Sequence, residues 1–189
     1  MRNVTYTTSI SLDGFYEDAR GGLEWSQVDD ELHRHFNEME RGSGGYLFGR
    51  RMYELMDGYW STADQDPNEP EVVHEYSRIY RAIPKIVFSN TLERVGENAR
   101  LVRGEAVEEV ARLKAEPGKP LNVGGGELAG SLMRAGLVDE INLYFHPVIL
   151  GGGKPWAPPV ESSMLLRLVE TQNFRSGVVR LHYSRRENG

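Results

Sequence analysis

Leu121-Asn122-Val123-Gly124-Gly125-Gly126-Glu127-Leu128 is a short buried strand that runs through three glycines straight into a helix. Leu128, Leu132 and Ala135 then share one helical face. Tyr46-Leu47-Phe48-Gly49-Arg50-Arg51-Met52-Tyr53-Glu54 repeats the design: an unbroken apolar run, one glycine, then a helix marked by Met52, Leu55 and Met56. Unbroken apolar runs suit strands covered on both faces. Strand–glycine–helix alternation therefore predicts an α/β fold on a largely parallel sheet. The first turn of a helix carries free N–H groups and partial positive charge, and glycine adds no Cβ to block an approaching ligand. Each junction is thus a candidate phosphate site. Taken alone, each is more often an ordinary connection with no ligand.

The rest of the chain fits the same alternation. Asn3 to Leu12 reads as the first strand, ended by the Asp13-Gly14 turn, and Gly21-Gly22 marks a loop. Leu32, Phe36 and Met39 predict a helix near 29–41, closed by Gly42, Gly44 and Gly45. Residues 57–70, with Pro67 and Pro70, read as a loop. Val72, Tyr76, Ile79 and Ile83 mark a helix face, and Lys85 to Phe88 the next strand. A short strand lies near Leu101-Val102, and a helix from Ala106 to Leu113 stops at Pro117-Gly118. Alternation from Ile141 to Ile149 predicts one long strand, followed by an irregular loop over Gly151-Gly152-Gly153-Lys154-Pro155. Segments 165–174 and 178–185 form a hairpin across Ser176-Gly177, so the sheet ends antiparallel. No repeat or linker divides the chain, and one domain over 1–189 is expected.

Composition narrows the function classes. The 189 residues are 39% hydrophobic and 26% charged, enough for a core that needs no staples. With no cysteine, disulfides, thiolate zinc sites and a cysteine nucleophile are excluded. A formal net charge of -6 gives a nucleic-acid role no global support. No stretch reaches the ~20 apolar residues of a membrane helix. No signal-type apolar region follows Met1, so a cytoplasmic location is expected. His33 and His35 are two apart on a helix and share no face, and no metal site is expected. His146 and His182 read as strand residues of the core or surface.

Four motifs in order carry a family resemblance. They are Ser11-Leu12-Asp13-Gly14, then Gly49-Arg50-Arg51-Met52-Tyr53-Glu54, then Val87-Phe88-Ser89, then Val123-Gly124-Gly125-Gly126-Glu127-Leu128 with Gly136-Leu137-Val138-Asp139-Glu140. Across nearly the whole chain these resemble the dihydrofolate-reductase-like superfamily, in the branch of the riboflavin-biosynthesis reductase domain. The resemblance implies a twisted, mostly parallel sheet flanked by helices, with NADPH across the strand ends and a small-molecule substrate beside it. By position it implies that Gly49, Arg50, Arg51 and Met52 hold phosphate at one helix start. Val123, Gly124, Gly125, Gly126, Glu127 and Leu128 hold the pyrophosphate at the other. Ser89 and Asn90 sit by the adenosine ribose, with Arg50 or Arg51 receiving the 2′-phosphate through bidentate bonds. Ser9 and Tyr16 lie near the nicotinamide. Met52 is a departure, because the family usually places threonine there.

The same resemblance implies an acceptor site. Folate-reducing members place a tryptophan five residues before a substrate-binding carboxylate, which corresponds to Trp25 and Asp30 here, with Glu31 second. An acid there would bind a protonated ring nitrogen. Asp29, Asp30 and Glu31 equally suit an exposed first helical turn. Tyr53, Tyr59 and Trp60 line an aromatic acceptor site or pack the helix, with packing favoured for Tyr53. The implied activity is NADPH-dependent reduction of a heterocycle of the ribosylamino-pyrimidine or pterin kind. The alternatives are dihydrofolate reductase proper and a non-catalytic NADP-binding regulator. Relatives are often homodimers, and the late strand with the C-terminal hairpin is the expected interface.

Overall fold

The computed structural model describes residues 1–160 and 163–186. The chain runs β1 (Val4–Ile10), β2 (Phe15–Asp18), α1 (Asp30–Arg41), β3 (Gly45–Gly49), α2 (Arg50–Trp60), α3 (Glu71–Ala82), β4 (Lys85–Phe88) and β5 (Ala99–Val102). It continues with α4 (Ala106–Ala115), β6 (Leu121–Gly124), α5 (Gly126–Arg134), β7 (Glu140–Phe145), β8 (Gly153–Pro155), β9 (Leu166–Asn173) and β10 (Val179–Arg185). Eight strands form one sheet in the order β5-β4-β3-β6-β1-β7-β10-β9. All pairs are parallel except those of β10, which runs antiparallel to β7 and β9. The α/β class, the mostly parallel sheet and the antiparallel C-terminal hairpin are as expected.

The two sheet faces differ, and the difference positions the site. Val4, Tyr6, Ile10, Leu47, Leu121, Val123, Ile141 and Leu143 pack against Val110 and Leu113 of α4 and Ala129, Leu132 and Met133 of α5. That face is dry and apolar. The opposite face carries Tyr46, Phe48 and Val87 under α2 and α3, and Tyr144 under Leu32 of α1. Strand register adds Thr5, Thr7, Ser9, Asn122 and Asn142 to this second face. Polar residues on a covered face need partners or a ligand.

Several boundaries differ from the sequence reading. β1 ends at Ile10, because Ser11 turns the chain: its N–H donates to Phe15 O at 2.9 Å and its Oγ accepts from Phe15 N at 3.0 Å. Segments read as loops pair as β2 and β8, a separate two-stranded ladder. α2 continues through Gly58 to Trp60, into the stretch expected to be a loop. A helical glycine costs ~1 kcal/mol relative to alanine, but Trp60 packs on Tyr76 with ring centroids 4.4 Å apart, and tertiary contact wins. β7 stops at Phe145 instead of running to Ile149, since Pro147 has no N–H for the ladder. Tyr144 and His146 are 0% and 2% exposed, so the alternation there does not separate core from solvent.

Candidate active site

The two glycine junctions lie side by side. β3 and β6 are hydrogen-bonded neighbours with Phe48 opposite Gly124, so α2 and α5 start at adjacent strand ends. Neither helix has a side-chain cap at its N-terminal residue, Gly49 or Gly125. Their first-turn N–H groups are therefore open donors. Gly125 sits at φ 92°, where a side chain is strained. A Cβ on Gly124 would meet the Phe48 ring at 2.5 Å, and one on Gly126 would meet Tyr16 at 2.6 Å. Aromatic rings thus press directly on the glycine backbone and fix its position.

These starts open on a cavity of about 320 Å³ lined by Gly49, Arg50, Arg51, Met52, Gly124, Gly125, Gly126, Glu127, Leu128, Tyr16, Glu17 and Lys154, among others. Its rim is cationic. Arg50 is held by Glu54 Oε1 at 3.0 Å and by Thr91 Oγ1 at 3.0 Å. Arg51 and Lys154 both reach Glu17, at 3.2 and 3.1 Å. Ser89 Oγ accepts from Thr91 N and Leu92 N at 3.2 and 3.0 Å, and Asn90 Oδ1 from Gly104 N at 3.1 Å. Both stand at the end of β4, across Thr91 from Arg50. Val123 is core at 2% exposure and contributes its backbone.

A second cavity of about 510 Å³ adjoins the first, sharing Tyr16, Met52 and Gly124 to Gly126. Its wall includes Val28, Phe36, Tyr46, Phe48, Met56, Tyr59, Trp60, Val73, Tyr76 and Tyr144. Its polar lining comes from Thr7, Thr8, Ser9, His33, Glu40 and Asn122. Tyr59 and Trp60 face this space. Tyr53 is core, with its hydroxyl accepting from Gly96 N at 2.8 Å and donating to Asp57 Oδ2 at 3.1 Å.

The sequence-expected acids stand elsewhere. Asp30 pairs with Arg34 at 3.1 Å on the surface, and Glu31 Oε2 accepts from Arg175 N at 3.0 Å. Asp29 caps α1 by accepting from Leu32 N at 2.9 Å. Trp25 packs edge-on against His146 with centroids 5.6 Å apart, and its Nε1 is buried without a partner. His146 Nε2 in turn lies 3.1 Å from Ser9 Oγ, and burial lowers the His146 pKa.

The acid that faces the cavity is Glu40, which the sequence reading passed over. Its Oε2 accepts from Asn122 Nδ2 at 2.9 Å. Burial raises its pKa, against the opposing pull of Asn122 and Tyr46. The signal was present: Glu40 follows Leu32 and Phe36 at four-residue spacing, an acid on the apolar stripe of α1.

The model of the RibD C-terminal domain family matches residues 2–180. This chain belongs to the RibD C-terminal domain family. Its relatives include the uncharacterized protein YyaP of Bacillus subtilis (strain 168), 32% identical over 183 residues that cover 96% of this chain and 94% of YyaP. A Shewanella sp. PV-4 protein named for riboflavin biosynthesis superposes with TM-score 0.76 at 24% identity, over 99% of this chain and 100% of that one. Dihydrofolate reductase from Enterococcus faecalis, complexed with NADP(H), gives TM-score 0.63 at 15% identity over 98% and 97% of the two chains. These solved structures share the fold with this RibD C-terminal domain. The riboflavin-biosynthesis reductase branch suggested by the four ordered motifs is the family found, and the fold is the one shared with dihydrofolate reductase.

Proposed function

We propose that this RibD C-terminal domain is an NADPH-dependent oxidoreductase that reduces a small heterocyclic acceptor. One observation carries the reading: two uncapped helix starts at adjacent strand ends open on a cation-rimmed cavity that joins an aromatic-walled one. The first cavity suits a dinucleotide, because open N–H donors and nearby cations favour phosphate. Arg50 and Arg51 bracket the α2 start, where a 2′-phosphate would be received, and Met52 offers only its backbone N–H. The capture of NADP(H) by the Enterococcus faecalis enzyme on the same fold supports this assignment. Bound there, the cofactor supplies a hydride.

The chain's own residues position and shield the transfer. Tyr16 lies over Gly126 and lines both cavities, so it separates cofactor from acceptor. Ser9 sits on the acceptor side, held by His146. Trp25 covers His146, while Asp30 and Glu31 serve the α1 start and the hairpin. The protein works in a reducing cytoplasm as a homodimer. Leu165, Leu168 and Val169, about half exposed at the β9 edge, are the apolar surface for pairing, and sedimentation equilibrium tests it.

The central test is a thermal-shift comparison of NADPH, NADH and no nucleotide. Saturation at 100 times the dissociation constant stabilises by about 2.7 kcal/mol. The expected result is a larger shift with NADPH than with NADH. No shift with either nucleotide overturns the reading. Oxidation of NADPH on adding a heterocyclic acceptor separates an enzyme from a protein that only binds the nucleotide.

A further inference from the structure

The cavity beside the cofactor cradle has an unusual charge pattern. Arg50, Arg51 and Lys154 line the smaller cavity, whereas no lysine or arginine lines the larger one among the described residues. The carboxylate facing that larger space is Glu40. A phosphorylated acceptor would enter an aromatic chamber with a negative floor and no cation to meet it. That arrangement repels phosphate.

Glu40 is also poorly compensated by the protein. It stands one residue before the end of α1, where the helix dipole disfavours an anion. Asn122 of β6 donates one hydrogen bond. The other titratable groups around it are the phenols of Tyr46 on β3, Tyr76 on α3 and Tyr144 on β7. None is cationic, and among the described residues Glu40 has no ion-pair partner. The Tyr46 hydroxyl is buried beside it and adds a second, weaker donor. Buried polar groups are normally satisfied. A buried carboxylate with one well-formed hydrogen bond, no cation and lone pairs to spare, at one edge of an aromatic cavity, describes half of a recognition surface. The missing half supplies N–H donors.

We propose that the larger cavity takes an unphosphorylated, flat, nitrogen-rich aromatic ring and grips its N–H edge through Glu40 and Asn122. This rests on the reading of that cavity as the acceptor site and gives it a substrate class. Phe36, Trp60 and Tyr76 supply faces and edges for the ring. Glu40 accepts two N–H bonds side by side, the geometry a carboxylate offers a cyclic amidine or guanidine. Ligands of the same shape without N–H donors leave the remaining Glu40 lone pairs unsatisfied and bind weakly.

The test uses three probes with the whole chain. 2-Aminobenzimidazole is flat and presents paired N–H donors. Benzoxazole has the same shape and no donor. Uridine 5′-monophosphate is a phosphorylated pyrimidine. Calorimetry on the wild type should show 2-aminobenzimidazole binding at least about tenfold more tightly than benzoxazole. Glu40→Gln should collapse that ratio, and uridine 5′-monophosphate should fail to displace 2-aminobenzimidazole. An absent ratio in the wild type, an undiminished ratio in Glu40→Gln, or displacement by the nucleotide overturns the proposal. The wild-type ratio keeps it falsifiable if the variant misfolds. Titration with NADPH is read separately. Loss of NADPH binding with the ratio intact sinks the cofactor assignment and upholds the ligand class. Normal NADPH binding without the ratio does the reverse.

Discussion

Glu17 holds the Arg51 guanidinium at 3.2 Å, a nearly buried carboxylate gripping a side chain that is 66% exposed. The same carboxylate accepts from Lys154 at 3.1 Å. Two cations at the mouth of the cavity proposed for the cofactor are thus turned toward an internal acid. Glu17→Gln is expected to free both and tighten NADPH binding by roughly three- to tenfold at low salt, with the gain shrinking as salt is added. Arg51→Ala is expected to erode the preference for NADPH over NADH. Isothermal titration with both nucleotides at two salt concentrations checks the pair. Unchanged nucleotide preference in Arg51→Ala, and in Arg50→Ala, removes the 2′-phosphate role.

The glycines of the two junctions should respond differently to alanine. At Gly124 a new methyl would meet Phe48 at 2.5 Å and Met52 at 3.1 Å. Overpacking of this kind costs typically 1–3 kcal/mol, so urea denaturation should show Gly124→Ala destabilised by about that amount, with weaker NADPH binding. At Gly49 nothing lies within 4 Å of the added carbon. Gly49→Ala should lose under about 1 kcal/mol of stability, the ordinary scale of an N-cap change. Its nucleotide affinity should still fall, because the methyl points toward the space the phosphate would occupy. Equal destabilisation at both positions would contradict this account.

His146 links stability to acid. Burial holds its pKa below the usual histidine value, so the folded protein keeps it neutral. Above the unfolded value of 6.5 this carries no penalty. As pH falls below 6.5 the unfolded chain binds a proton that the folded chain resists, and stability is lost. His35, also shifted down by burial, adds to the same loss. His146→Gln should therefore flatten part of the fall in melting temperature between about pH 7 and pH 5, with the His35 part remaining. Trp25 fluorescence should report the titration, since its ring lies edge-on 5.6 Å from His146. A melting curve in the variant that falls as steeply as in the wild type refutes the assignment.

Local signals and distant contacts explain what could be read without the structure. Phe48-Gly49 and Val123-Gly124 were legible because a strand, a glycine and a helix follow one another along the chain. Their adjacency was not, since β3 and β6 meet only through the sheet. The β2–β8 ladder joins strands of four and three residues across more than a hundred positions, too short for either to show a period. The acid facing the larger cavity was passed over for a related reason. Asp30 sits at a helix start, where acids cap and solvate, while Glu40 breaks an apolar stripe, and a break in a stripe marks burial. His146 was hidden because the alternation runs on to Ile149, whereas β7 ends at Phe145, one residue before it.

Lys85 offers the cleanest electrostatic test, because it lies away from both cavities. It is 2% exposed at the start of β4, and its ammonium donates to Tyr80 O at 2.5 Å and Ile83 O at 3.0 Å. It also sits 4.2 Å from the Tyr80 ring centroid. The lysine therefore satisfies carbonyls that the end of α3 leaves open. Burial pulls its pKa down to about 8, against the attraction of Asp57. Between that value and 10.5 the unfolded chain binds more protons than the folded one, so stability rises with pH. From about pH 7.5 to pH 9.5 the gain should be roughly 1–2 kcal/mol, read from urea midpoints. Lys85→Met should abolish this rise. It should also be less stable than the wild type at the upper end, because the α3 carbonyls lose their donor. A variant that keeps the rise would show that another group titrates in this window, and that Lys85 is held at its ordinary pKa.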